Sequence, residues 1–359
     1  MCIRDSPWGD RQQVLSQTAF TALLRAGVPF TKAPETRHEY ANLGYAILGR
    51  VIANITKAPY RHFVEQRFLA PLGMSASGFD VFAHPKDKRA IGYRWENAAW
   101  AEEPTMKDGA FNSMGGLEVS ATDYAKWLGF VLSAWPPRDG AEAGPVKRGT
   151  VRQTMRGVNN AAVFHRPATG GDTQCPGTVS YGMGWRVIGD CNYGVVLAHG
   201  GGYAGYGSHV MVLPEYGAAL FALTNKTYAG PSQPVWDVAA LLRAEGVLVK
   251  RVEPVSADLA SFYSAAQTVW AAGTIYALQG RVAMNFPMDR TAANWAKVLA
   301  ETKAQSGTCD ITAPVVAEGA MSGTFTWTCE KGRIKGTVLL APTKPITLQA
   351  LGFAFEGKD

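Results

Sequence analysis

Between residues 181 and 224 four short strand-like runs, 181–188, 193–198, 207–213 and 217–224, follow one another with only turn residues between them. Links that short cannot carry a crossover to a parallel neighbour, so the runs read as an antiparallel meander. Helical patterns lie on both sides of this block. Leu43, Ile47, Leu48, Val51, Ile52 and Ile55 fall on one helical face, and Tyr60 to Leu69 resumes the pattern until Pro71-Leu72-Gly73-Met74. Ser120-Ala121-Thr122-Asp123 has the form of a capping box, with Tyr124, Trp127, Leu128 and Val131 following at helical spacing. A further helix is expected near 233–243. The Pro- and Gly-rich stretch 136–178 reads as a long surface excursion.

The character changes after Val249 to Pro254. Helical patterns near 257–278 and 291–303 precede strand patterns at 321–328 and 333–341. A division into residues 1–250 and a small α+β domain of residues 251–359 is expected, the second without an assignable role. With 47% apolar residues in a chain of 359, each part can bury a core of its own.

Several classes of function are disfavoured. The net charge of +6 is spread over scattered Lys and Arg, which argues against a nucleic-acid face. No stretch reaches the length a membrane span needs, and Met1 to Ser6 holds no apolar signal-peptide core. His62 and Glu65 share a helix spacing, but no His-Glu-x-x-His or Cys-x-x-Cys pattern suggests a metal, and no glycine loop suggests a nucleotide cofactor. Cys175 and Cys191 flank one strand pattern, and Cys309 and Cys329 another. Two local disulfides suit an oxidising compartment, and the alternative is four buried thiols.

Chemistry enters at Tyr40-Ala41-Asn42, set against the helix from Leu43, and at His199-Gly200-Gly201-Gly202-Tyr203-Ala204-Gly205-Tyr206. Taken singly, each has a bland reading: an aromatic at a helix entry, an N-cap asparagine, a turn histidine, a glycine-rich hairpin. In order along the chain, with Pro71-Leu72-Gly73-Met74, Met114-Gly115-Gly116-Leu117, Tyr181-Gly182-Met183-Gly184-Trp185 and Leu223-Thr224-Asn225, they resemble the class C β-lactamases, D-Ala-D-Ala carboxypeptidases and related serine esterases. The resemblance spans roughly residues 7–230. It implies an α+β fold in which an antiparallel sheet is flanked by helices, as in β-lactamases and penicillin-binding proteins. It also implies a serine hydrolase acting through an acyl-enzyme on an ester, amide or D-amino-acid peptide, without cofactor.

Residue by residue, the resemblance makes Tyr40 a proton-transfer group, Asn42 an amide that binds substrate and neighbours, and His199 with the backbone of Gly200, Gly201 and Gly202 the opposing strand. The Gly202 N–H is the expected oxyanion donor. Two departures stand out. The family's nucleophile motif is Ser-x-x-Lys, yet no serine here is followed three residues later by lysine, and no Gly-x-Ser-x-Gly elbow occurs. The family places that motif several dozen residues before Tyr-x-Asn, whereas 39 residues precede Tyr40. The expectation is an incomplete N-terminus, with a signal peptide lost from a periplasmic or secreted parent and a chain inactive by itself. The alternative is a natural pseudoenzyme used for ligand binding or sensing. The second departure is His199 where β-lactamases carry lysine, which favours an esterase or peptidase over a β-lactamase.

Overall fold

The computed structural model describes residues 14–28, 30, 32–33, 36, 38–137, 140–167 and 174–357. Cys2 and the leader lie outside them. Two compact units emerge, Met1–Lys250 and Arg251–Asp359.

The first unit opens with α1 (Gln17–Arg25), capped by the Ser16 hydroxyl, which accepts the Ala19 N–H. Next come α2 (Asn42–Thr56) and α3 (Tyr60–Val64), whose last turn widens through Glu65–Leu69. The apolar stripe expected to bury α2 is only partly used: Leu48, Val51 and Ile55 are exposed, while Asn42, Ala46 and Gly49 are buried. The reason is a close approach. A β-hairpin of β1 (Tyr93–Glu96) and β2 (Ala99–Glu102) is followed by the short α4 (Asn112–Gly115), whose Ser113 sits directly over Gly49. A Cβ on Gly49 would overlap the Ser113 side chain, so small residues, not large ones, define this contact.

Helix α5 (Ala121–Leu132) begins at the expected capping box, the Ser120 hydroxyl accepting the Asp123 N–H at 3.1 Å. Asp123 then accepts from the Ala76 N–H at 2.7 Å, the Ser77 hydroxyl at 2.9 Å and Lys126 at 2.7 Å, tying the loop after α3 to this helix.

The described residues of 136–178 are not a surface excursion, and 138–139 and 168–173 lie outside the described residues. They contain α6 (Arg148–Thr154), β3 (Asn159–Pro167) and most of β4 (Gln174–Tyr181). Then follow β5 (Arg186–Asp190), β6 (Gly194–Tyr203), β7 (Tyr206–Leu213), β8 (Ala218–Thr224) and α7 (Ser232–Ala244). The sheet is antiparallel in the order β3-β4-β5-β6-β7-β8, six strands where four were expected. The run 181–188 splits, since Gly182 to Trp185 turn the chain between β4 and β5.

Strand alternation then decides the layers. Leu197, Val210 and Val212 pack with Leu128 and Val131 of α5 and Val151 of α6. Val196, Ala198, Met211 and Leu213 pack with Val235 and Ala239 of α7. The fold class is therefore the expected one, an antiparallel sheet flanked by helices. Cys175 and Cys191 form a disulfide beside the sheet.

The second unit has α8 (Ala257–Ala272), α9 (Asn285–Asp289) and α10 (Ala292–Ser306), then β9 (Cys309–Asp310), β10 (Val316–Gly319), β11 (Ser322–Cys329), β12 (Gly332–Ala341) and β13 (Thr347–Gly357). Strict alternation buries Phe325, Trp327, Ile334, Val338 and Leu340 against Leu259, Phe262 and Val269 of α8 and Trp295 and Leu299 of α10. Cys309 and Cys329 stand opposite each other on β9 and β11 and form the second disulfide.

Among the described residues no helix is long and apolar enough to cross a membrane.

Candidate active site

The backbone of β6 creates the site. Its first half is paired on both sides, but β5 begins at Arg186, which faces Ala198, so residues 199–203 have no β5 partner. On the other side Tyr203 faces Tyr206 across the two-residue turn Ala204-Gly205, and Gly202 faces Gly207. Antiparallel pairs alternate between hydrogen-bonded and non-bonded, and the pair that closes a two-residue turn is bonded. Gly200 and Gly202 therefore direct their N–H and C=O groups away from β7, toward the open edge. Glycine is required next to this strand as well: a Cβ on Gly207 would overlap the Ala229 carbonyl oxygen.

His199 stands at the start of that edge, half-buried, and both ring nitrogens are engaged. Nδ1 lies 2.7 Å from the Gly200 carbonyl oxygen, which can only accept, so Nδ1 carries the proton. Nε2 is then the acceptor of the neutral ring, and the Tyr181 hydroxyl donates to it at 2.9 Å. Burial holds the His199 pKa below its ordinary value; the Gly200 hydrogen bond works against this and the Arg186 charge works with it. The ring is neutral at pH 7.

Tyr40, in the extended segment before α2, places its ring 6.2 Å from that of His199. Its pKa is raised, first by burial and then by Tyr45, with Arg186 pulling it the other way. Tyr40 is thus a protonated phenol at rest. Asn42 is buried on the first turn of α2, and Ala41 occupies the N-cap position, so Asn42 is not a plain cap. The structure therefore brings Tyr40, His199 and the Gly200–Gly202 edge together, with Asn42 two residues from Tyr40.

Around them stand groups to which the sequence attaches no role. Tyr181 reads there only as part of a Tyr-Gly strand, yet its hydroxyl binds His199, and its ring stacks on His38 at 4.8 Å. Tyr45 acts with burial to raise the Tyr181 pKa. Burial, above all, keeps the Tyr181 phenol protonated. Arg186 acts electrostatically on His38, Tyr40, Tyr181, His199 and His209. Only the β4–β5 register, which sets Arg186 against Tyr181, reveals these neighbours. Among the described residues no group of three His, Cys, Asp or Glu side chains is placed to hold a metal ion.

A protonated phenol beside a neutral imidazole, facing strand N–H groups, is equipped to move a proton and to stabilise an oxyanion. Comparison with known proteins gives the chain its family. The Beta-lactamase family model matches residues 4–245. Beta-lactamase-like protein 2 of Dictyostelium discoideum is 36% identical over 98 residues, 27% of this chain and 18% of that protein. Protein flp of Staphylococcus aureus (strain NCTC 8325 / PS 47) is 24% identical over 201 residues, 54% of this chain and 35% of that protein. The matched segments thus span about a third or less of these curated relatives. Among solved structures, the octameric penicillin-binding protein homologue from Pyrococcus abyssi aligns with a TM-score of 0.48 at 17% identity, covering 91% of this chain and 65% of that one.

Proposed function

The chain belongs to the β-lactamase family, and on that premise we propose that it carries the proton-transfer and oxyanion half of a serine acyl-transfer site. The substrate is an ester, an amide or a D-amino-acid peptide, and the reaction is that of an esterase or carboxypeptidase. In such a reaction a serine Oγ bonds to the acyl carbon, its proton passes to a base, and the leaving group departs with a proton. The observation that carries the reading is the approach of Tyr40 to His199 at the open edge of β6.

Tyr40 is the proton-transfer group. Its raised pKa makes it a donor at rest; only an added cation would let it begin as a base. His199, oriented by Gly200 and Tyr181, lines the opposite wall. The outward N–H of Gly202, with that of Gly200, supports the developing oxyanion, and Gly201 holds the strand between them. Asn42 offers its amide to substrate. The two disulfides are in keeping with a periplasmic or secreted setting.

No serine in these 359 residues heads a Ser-x-x-Lys motif, so the chain by itself forms no acyl-enzyme at such a site. Incubation with a p-nitrophenyl ester followed by intact-mass measurement checks this, and a stable acyl adduct refutes it. The same missing motif favours a second reading, a ligand-binding or sensing module that retains the cleft. The coding sequence ahead of residue 1 separates the two. An in-frame Ser-x-x-Lys supports the hydrolase, and a stop directly before a functional start supports the module.

A further inference from the structure

We propose that the β1–β2 hairpin carries a glycan-binding platform, with Trp95 and Trp100 as its floor and a pyranose ring of a neutral, β-linked glycan as its occupant. Such binding is independent of acyl transfer.

Trp95 faces Trp100 across the hairpin, and Asn97 and Ala98 turn the chain between Glu96 and Ala99. Both turn residues are left-handed, at φ 50° and 59°, the conformation of a tight two-residue turn. The pair one step back from such a turn is not hydrogen-bonded, and there opposite side chains come closest. The two indoles accordingly meet edge to face, with ring centroids 5.1 Å apart. That contact covers only part of each ring: Trp95 is 54% exposed and Trp100 57%. Holding two large aromatic surfaces in water is unfavourable, and a ligand that covers them relieves it.

The hairpin is tied down at its base. The Tyr93 N–H donates to the Asn225 carbonyl at 3.0 Å, the Thr227 N–H to the Tyr93 carbonyl at 2.7 Å and the Glu103 N–H to the Gly92 carbonyl at 2.9 Å. The buried Glu103 carboxylate accepts from the Thr227 hydroxyl at 3.0 Å and from Arg94 at 3.4 Å. A Cβ on Gly92 would overlap the Gly205 backbone, so the hairpin sits directly on the β6–β7 turn. A surface fixed before its ligand arrives loses little entropy in binding.

Charge and area select the occupant. The register places Tyr93 and Glu102 on the face that carries both indoles. Glu102 is paired with Lys86 at 3.6 Å, and the Lys226 ammonium lies 5.9 Å from the centroid of the Trp100 ring. Donors and acceptors in nearly balanced charge thus rim the aromatic surface. A lipid surface calls for apolar side chains ringed by unpaired cations, and Glu102 works against anionic headgroups. A second protein calls for about 800 Å² from each partner, whereas two half-exposed indoles offer roughly 250 Å². A pyranose ring matches both the charge and the area. Its C–H face lies flat on an indole, and the hydroxyls around its edge reach the polar rim. Equatorial β-linkages keep that face unobstructed from one sugar to the next.

Cellohexaose, a neutral β-1,4-linked glycan, is the probe. In an NMR titration of the full chain the indole N–H signals of Trp95 and Trp100 should shift with a Kd of about 1 mM. Those of the buried Trp270, Trp295 and Trp327 should stay fixed. W95A and W100A should each weaken binding about tenfold, and W95Y, which keeps an aromatic surface, by less; a melting curve confirms that each variant is folded. Unmoved Trp95 and Trp100 signals, or an unchanged affinity in both alanine variants, overturns the assignment. Phosphatidylglycerol vesicles that shift these two indoles where cellohexaose does not would make the hairpin a lipid contact and refute the glycan. Because binding is read and not turnover, the outcome is independent of the acyl-adduct measurement. A chain that forms an adduct but ignores cellohexaose refutes the platform alone.

Discussion

Replacing Tyr181 by phenylalanine tests the tautomer on which the site depends. The substitution removes one oxygen from a ring that keeps its place against His38. In the wild type Nε2 of His199 accepts the Tyr181 proton at 2.9 Å while Nδ1 donates to Gly200. Without the hydroxyl, a half-buried acceptor has no donor. The cost of such a loss is about 1–2 kcal/mol. In a unit of this size each kcal/mol lowers the melting temperature by about 2–4 °C. A second consequence is more specific. A donor at Nε2 favours the neutral imidazole, so its removal must raise the His199 pKa, which burial, first of all, holds below 6.5. Stability and pH are then linked with a definite sign. A base whose folded pKa is depressed loses stability as pH falls through 6.5, because the unfolded chain takes up the proton first. Y181F weakens that dependence, so its deficit is largest at about pH 8 and narrows toward about pH 5. Thermal melts at both pH values and an NMR titration of the His199 ring read the two effects. A His199 pKa that falls or stays fixed, with unchanged melting, would show that Tyr181 does not donate to Nε2.

Gly207→Ala drives a Cβ into the Ala229 carbonyl oxygen, which belongs to backbone and cannot swing aside. A destabilisation of about 3 kcal/mol is expected in urea unfolding, and a neutral result would mean that the turn after β8 yields. Asp123→Asn probes the tie between α5 and the loop after α3. Burial raises this carboxyl, but the hydrogen bonds from Lys126, Ala76 and Ser77 outweigh it and hold the pKa below 3.8. Its stabilising effect is present above that value and is lost as pH falls through the folded pKa. D123N should therefore cost about 2 kcal/mol at neutral pH and less in acid below the folded pKa, a difference urea midpoints would reveal. Equal losses at both pH values would exclude the charge as the cause.

The parts of the fold legible in the sequence are those in which local chemistry and burial agree. Ser120 heads α5 as its capping box demands, and the alternating strands 321–328 and 333–341 emerge as Ser322–Cys329 and Gly332–Ala341. Elsewhere tertiary contact overrides pattern. The apolar stripe of α2 points outward at Leu48, Val51 and Ile55, because Gly49 and Ala46 bring the opposite face against α4 and the cluster of Phe20 and Phe111. Strands β3 and β4 are hidden by proline and glycine, which read as punctuation although Pro176 and Gly177 lie inside a ladder. In the site, Tyr40, Asn42 and His199 are visible because spacing marks them. Tyr181, Arg186 and His209 are not, since their relation to His199 exists only in strand register.

That division bears on what the cleft can do. At neutral pH Tyr40 and Tyr181 are protonated, His38, His199 and His209 are neutral, and among the described residues the cation acting on them is Arg186. Among the described residues nothing turns Tyr40 into a phenolate: burial outweighs the guanidinium, which is shared among five neighbours. Tyr40 cannot activate a hydroxyl nucleophile under those conditions, because activation needs a base whose pKa approaches that of the medium. A second cation placed against Tyr40 would change the balance, and the family's Ser-x-x-Lys brings its lysine with its serine. Nucleophile and base are thus coupled through one motif. A serine supplied without the lysine would find Tyr40 still protonated, so grafting the hydroxyl alone does not make Tyr40 its base.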